Sequence, residues 1–289
     1  MPASEKPTPV SVYAGAEIAL LTQHGKQRVI APVLEDTLGC RVRHVDGYDT
    51  DLLGTFTRDI PRFGTQVEVA RKKARLAMEL AGLPFGLGSE GAFVPDPFLG
   101  MAPWNVEVIV FIDYPRNLEV VGMAENRGNF HHLLTHDWPA LESFAREVGF
   151  PEQQLVVRPR DAHDRRIRKG IQTWPELEAA WAWAVSEADN GLAFVETDGR
   201  AHANPARMAN IGVAAADLAA RLASRCPACG TPGYWRVERV AGLPCADCGA
   251  PTRETRAWVY GCLKCTQRET RPVSGASHAD PGRCDVCNP

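Results

Sequence analysis

Residues 65–93 read TQVEVARKKARLAMELAGLPFGLGSEGAF. At about 100° per residue, Val69, Ala70, Ala74, Leu76, Ala77, Met78, Leu80 and Ala81 share one side of a helix, and Glu68, Arg71, Lys72, Arg75 and Glu79 share the other. Thr65 caps that helix, and LPFGLGSEGAF reads as a strand followed by a Gly-rich turn. A helix feeding a strand is the repeating unit of an α/β domain. One residue breaks the pattern: Lys73 falls in the middle of the apolar side. An ammonium group there is costly unless it reaches an anion, a polar cleft or solvent.

The flanking sequence extends the same alternation. AEIALLT (16–22) is a short buried strand ending in the loop QHGKQ, RVIAPVLEDTLG is a helix, and CRVRHV a second strand. VEVIVFID is a buried strand, YPRN a turn and LEVVGMA its hairpin partner. A helix at 138–148, a strand QQLVVRP, a helix TWPELEAAWAWAVSEA and a strand GLAFVET follow. DGRAHANPARM then leads into a long helix, with Asn204 as N-cap and Pro205 at the first helical position. The expected architecture is α/β, a mixed curved sheet flanked by helices, over residues 1–224, with a small Cys-rich module at 225–289.

The chain has 289 residues, 45% apolar, enough for a sizeable core. A formal net charge of -3 argues against a protein dominated by non-specific binding to nucleic acid or membrane surfaces. The N-terminus MPASEKPTPVSVYAG shows no basic run followed by an apolar core, and no uncharged apolar run approaches about 20 residues. A cytoplasmic location is therefore expected.

Eight of the nine cysteines form four Cys-x-x-Cys pairs: Cys226/Cys229, Cys245/Cys248, Cys262/Cys265 and Cys284/Cys287. In a reducing compartment such spacing reads as metal ligation. Four thiolates close a tetrahedral shell, so two structural Zn²⁺ sites are expected, each keeping about -2 of charge. Consecutive pairing, Cys226 to Cys248 and Cys262 to Cys287, is the expected arrangement, with an interleaved one as the alternative. Tyr234, Trp235 and Trp258 beside Arg236, Arg239 and Arg256 either stack on nucleic acid or pack a module too small for its own core.

Three segments of the first half, TQHGK (22–26), EVARKKA (68–74) and GLGSEGAF (86–93), occur in an order that resembles the inosine/xanthosine triphosphate pyrophosphatase superfamily. There a strand and loop carry a phosphate-binding lysine, a helix begins E-N-A-x-x-K-A, and an acidic Gly-turn follows. The resemblance covers roughly residues 15–125; TQHGK lacks the family's Asn, and Val69 replaces the helix Asn. The whole chain also resembles a bacterial family with a C-terminal double zinc ribbon.

The resemblance implies a Mg²⁺-dependent hydrolase of a nucleoside triphosphate or related phosphate ester. Glu90 and Glu68 would hold Mg²⁺, which takes one or two carboxylates plus phosphate oxygens. Lys73 would act beside them, and Lys26, Ser89 and His24 would meet the substrate. Each residue also has a plainer role. Lys73 can snorkel to solvent or pair with a buried carboxylate, Glu68 can close a capping box with Thr65, and Glu90 can be a solvated turn carboxylate. ETDGRAHANPAR adds Asp198, Arg200, His202 and Arg207 at a strand-to-helix junction, where α/β sheets line their ligand clefts. Arg168 and Lys169 are candidates for a phosphate clamp. His131, His132 and His136 lack Cys or Glu neighbours and read as ordinary histidines. The alternative function is a non-catalytic nucleotide sensor or adaptor whose zinc ribbons bind protein or nucleic acid.

Overall fold

The structure is a computed structural model that describes residues 11–50, 64–275 and 277–289. The chain divides into two compact units, Met1–Ala219 and Ala220–Pro289. The first is mixed α/β, with sheets flanked by helices. Its chain runs β1 (Glu17–Leu21), α1 (Gln27–Leu38), β2 (Arg41–Val45), α2 (Gln66–Ala81), β3 (Phe85–Pro95), β4 (Pro103–Asp113), β5 (Leu118–Arg127). These strands form one sheet in the order β2-β1-β3-β4-β5. β1 is parallel to β2 and β3, and β3, β4 and β5 make an antiparallel meander.

The capping box at the start of α2 is formed. Thr65 accepts from the Glu68 backbone N–H and the Glu68 side chain reaches back to the Thr65 N–H, while Gly82, at φ 64°, ends the helix. Ala70 of α2 packs on Val108 and Val110, covering one face of the sheet. The glycines of β3 are not a turn. GLGSEG lies inside one continuous strand, and none of Gly86, Gly88 and Gly91 has a positive φ. A Cβ on Gly86 would fall on Ala74 O, and one on Gly88 on Ala70 O. A Cβ on Gly91 would fall on the Glu107 carboxylate. They are glycine because helix backbone and a buried side chain approach the strand directly. Glu90 is accordingly a mid-strand residue, not a residue of a tight loop.

A second sheet follows in the same unit, from β6 (His132–Thr135), α3 (Trp138–Val148), β7 (Leu155–Pro159), β8 (Arg168–Ile171), α4 (Trp174–Glu187) and β9 (Ala193–Thr197). Its order is β6-β9-β7-β8, and Leu141, Ala145, Leu177 and Ala180 from α3 and α4 pack on Val157 and Val195. Its edge strands β6 and β8 lie at HHLLT, where no strand is expected from sequence, and at DAHDRRIRKG, which reads as a charged loop. α5 (Pro205–Ala223) begins with Asn204 Oδ1 accepting from the Arg207 N–H at 3.0 Å. It returns to the first sheet, where a Cβ on Gly122 would meet Leu218 at 2.5 Å. No helix among the described residues is long and apolar enough to cross a membrane.

The second unit is a meander of β10 (Trp235–Ala241), β11 (Thr255–Gly261) and β12 (Arg268–Pro272). Its cysteines gather as Cys226, Cys229, Cys262, Cys265 and as Cys245, Cys248, Cys284, Cys287, the ligand atoms of each group lying within 4.8 Å of one another. The pairing is thus interleaved, which corrects the consecutive arrangement expected from spacing. The reason is the meander. The chain before β10 and after β11 meet at one end of the sheet, and the β10–β11 loop and the chain after β12 meet at the other. Consecutive pairing would join the two ends of β10, about 20 Å apart at 3.4 Å per residue.

Two outcomes follow. Gly88→Ala should lower the unfolding free energy by about 2–4 kcal/mol, because helix backbone must shift to admit the methyl. Gly212→Ala in α5, whose Cβ meets Val29 at an ordinary 3.8 Å, should raise it by about 0.5–1 kcal/mol; chemical denaturation of both variants measures this. The interleaved pairing is checked by counting bound metal. Cys226→Ser with Cys262→Ser should remove one ion and leave one, whereas consecutive pairing would damage both sites.

Candidate functional site

β1 ends at Leu21, and its register with β3 ends at Leu20 opposite Leu87, while β3 continues to Pro95. After β1 the chain turns toward β2 through α1; after β3 it turns away toward β4. Such a divergence leaves a crevice at the carboxyl ends of the strands. The loop TQHGK borders it on one side, and Ser89 and Glu90 border it on the other.

Lys26 stands at the N-cap of α1, a turn with no side-chain cap and no acidic residue. It is 6% exposed, and its ammonium donates to Ser89 O at 3.3 Å and Ser89 Oγ at 3.2 Å, both neutral oxygens. Burial, followed by the nearby Arg207 guanidinium, pushes its pKa down to about 7; Glu107 and Glu90 oppose that shift and Lys73 adds to it. The positive end of the helix dipole also disfavours a cation there and favours an anion.

Lys73, the residue out of place on α2, donates to Glu90 Oε2 at 2.6 Å, and both side chains are buried. A second buried pair lies nearby: Arg207 Nε donates to Glu107 Oε1 at 2.5 Å, and Arg207 Nη1 to Gly199 O at 2.7 Å. Asn105 donates to Glu107 Oε1 at 3.0 Å, and Asn210 in turn donates to Asn105 Oδ1 at 2.8 Å. Glu90 is opposite Val108, and Gly91 is opposite Glu107. Directly opposed residues share a face, so Glu90 faces α2 and Glu107 faces α5. The two carboxylates flank the strand rather than sharing one point.

The loop after β9 joins the α5 side. The His24 and His202 rings lie 5.1 Å apart. Burial, then His202, Lys26, Arg207 and Arg200, hold the His24 pKa down to about 3, so its ring is neutral at physiological pH. Asp198 is fully buried and accepts from Arg200 Nη2 at 2.5 Å and Nε at 3.0 Å, so its charge is matched locally. A cleft of about 450 Å³, lined by Gln23, Gly25, Arg28, Ala201, His202 and Met208, opens beside the β1–α1 loop.

The structure therefore brings His24, Lys26, Lys73, Ser89, Glu90, Arg200, His202 and Arg207 into one electrostatically connected region. Glu68 is held apart from that arrangement: it is exposed, with Oε2 accepting from Thr65 N at 2.7 Å and Thr65 Oγ1 at 2.9 Å. Arg168 lies over the Trp183 ring at 4.3 Å and donates to Ala179 O. Glu196 pairs with Arg158 at 3.6 Å. His132 stacks on Phe194. Glu107 and Asn105 were not singled out by spacing. A carboxylate inside the otherwise apolar VEVIVFID is the same signal as Lys73 in α2, a charge on a face that must be buried.

In the Cys-rich unit the sulfurs of Cys226 and Cys265 are 3.7 Å apart, and those of Cys229 and Cys262 3.6 Å. Cys245 and Cys287 are 3.8 Å apart, and Cys248 and Cys284 3.7 Å. A tetrahedron of sulfurs at 2.3 Å from a central ion has edges of about 3.8 Å. The N–H groups of Lys264 and Cys265 donate to Cys262 Sγ at 3.3 and 3.4 Å, as suits a thiolate. Both groups can hold a metal ion, consistent with zinc.

No curated protein and no solved structure matches the chain. A family profile matches from Lys73 to the last cysteine pair and beyond, taking in Glu90, Glu107, Arg207 and all eight paired cysteines. By this match over residues 73–289 the chain belongs to the family described as "Domain of unknown function (DUF6671)".

Proposed function

We propose that the crevice beside Lys26 binds the phosphate groups of a nucleoside triphosphate or related phosphate ester, and that the two cysteine groups hold structural Zn²⁺. The observation that carries the first reading is the Lys26 ammonium, buried against neutral oxygens at the start of α1. The region gathers three buried cations, Lys26, Lys73 and Arg207, around two buried carboxylates, Glu90 and Glu107. A buried excess of positive charge is costly until an anion offsets it. The adjacent cleft, with His202 in its wall, offers room for the organic part of the ligand.

Mg²⁺ fits this site less well. Among the described residues the groups of three or more Cys, His, Asp or Glu able to hold a metal are the two cysteine groups. Among the described residues Glu90 is the carboxylate at the α2 side of the crevice, and it already pairs with Lys73. A second reading, Mg²⁺-dependent hydrolysis of the same ligand, rests on Glu90: a phosphate that took over Lys73 would release this carboxylate. The inosine triphosphatase-like reading of the sheet rests on the same three segments and belongs with it.

Calorimetric titration of the zinc-loaded chain with a nucleotide panel and inorganic triphosphate, with and without Mg²⁺, tests the binding reading. Pyrophosphate release tests the second. Lys26→Met should abolish binding while the melting temperature holds or rises, since it removes a buried charge. If nothing in the panel binds, or the variant binds as well as the parent, the reading fails.

The pH dependence has a definite sign. The Lys26 pKa is about 7 without ligand, and an anion favours the ammonium form and raises it. Affinity should be full below pH 7 and fall by up to about tenfold per unit above it, until the pKa of the complex is reached. In the unfolded chain the same lysine keeps its proton up to about pH 10.4. Its burial thus penalises folding most below pH 7, and the thermal gain in Lys26→Met should shrink as the pH rises from 7.

A further inference from the structure

Alternation along β11 puts Arg256, Trp258 and Tyr260 on one face of the small sheet. The ladder adds to that face the residues directly opposite. Trp258 faces Arg239 of β10 and Arg271 of β12, and Tyr260 faces Arg236 and Glu269. Arg236, Arg239, Arg256 and Arg271 are exposed, while Trp258 and Tyr260 are partly exposed.

Two of these arginines lie over the rings. Arg236 is 5.2 Å from the centre of Trp258 and donates to Tyr260 Oη at 3.3 Å, and Arg271 is 4.4 Å from the centre of Tyr260. Glu269 offsets one of the four charges by pairing with Arg271 at 2.7 Å. The opposite face carries Ala257, Val259 and Gly261. The cysteines lie beyond the ends of the strands, so the four arginines of the aromatic face stand apart from the thiolates.

We propose that this face binds single-stranded nucleic acid. Flat rings and guanidinium planes offer stacking surfaces to unpaired bases, and arginines between them meet the phosphates. An acidic peptide would match the charge but would leave the ring stripe unused. Beside the Lys26 crevice Arg207 and Arg200 pair with buried carboxylates, whereas here Arg236 and Arg271 lie exposed over aromatic rings. The proposal does not depend on the ligand of that crevice.

Fluorescence anisotropy of the full-length, zinc-loaded chain with a labelled dT20 oligonucleotide tests this proposal. Binding is expected at 50 mM KCl, with a log–log salt slope of about -2 to -3 for three to four phosphate contacts. Arg236→Glu with Arg271→Glu should weaken binding at least tenfold and flatten the slope, with circular dichroism and metal content unchanged. Trp258→Ala should weaken binding without changing the slope, and Lys26→Met should bind as the parent does. The charge-reversal pair keeps the test valid even if Trp258→Ala fails to fold. No anisotropy change at 50 mM KCl would overturn the proposal. So would undiminished binding by the charge-reversal pair, or equal displacement of the oligonucleotide by polyglutamate.

Discussion

The backbone of α2 lies directly against β3 at Gly86 and Gly88, with the Met78 side chain also against Gly86. Gly86 and Gly88 make that approach possible, because a methyl on either would occupy the space of Ala74 O or Ala70 O. Helix and strand are therefore locked in one relative position. Two residues beyond Gly88, on the same face of the strand, stands Glu90, and one residue before Ala74 stands Lys73. The 2.6 Å contact between them is a consequence of the close packing. A bulkier strand would push the helix outward and leave both charges buried without a partner.

The same sheet separates two charge pairs. On the α2 side Lys73 and Glu90 offset each other. On the α5 side Arg207 and Glu107 do so, with Asn105 and Asn210 completing the hydrogen bonds. Lys26 lies beside the open edge between them and feels all four charged groups. Burial and the two cations hold its pKa down to about 7 against the pull of the two carboxylates.

Much of the fold is legible in local pattern. The helical spacing of 65–81, the Thr65–Glu68 box and the Asn204 cap with Pro205 are short-range signals and appear as read. Two features are not local. The glycines of GLGSEG resemble turn chemistry from sequence, and only the facing helix backbone shows them to be clearance. The edge strands β6 and β8 are four residues each, too short for alternation to identify. At the crevice, Lys73 is visible as a misplaced charge, but its partner is not. Glu107 gives the same signal, a charge within a strand apolar on both faces, but its partner Arg207 lies a hundred residues away on α5.

The interleaved cysteines have a consequence for the continuity of the chain. A metal ion in either group would join a cysteine pair from one side of β11 to a pair from the other, since 226–229 meets 262–265 and 245–248 meets 284–287. A peptide bond broken anywhere in β11 would leave two fragments, each holding half of both ligand sets. Metal ions bound there would then act as crosslinks, and the fragments would stay together for as long as the metals did. Coordination bonds would carry a mechanical role that elsewhere belongs to the polypeptide itself.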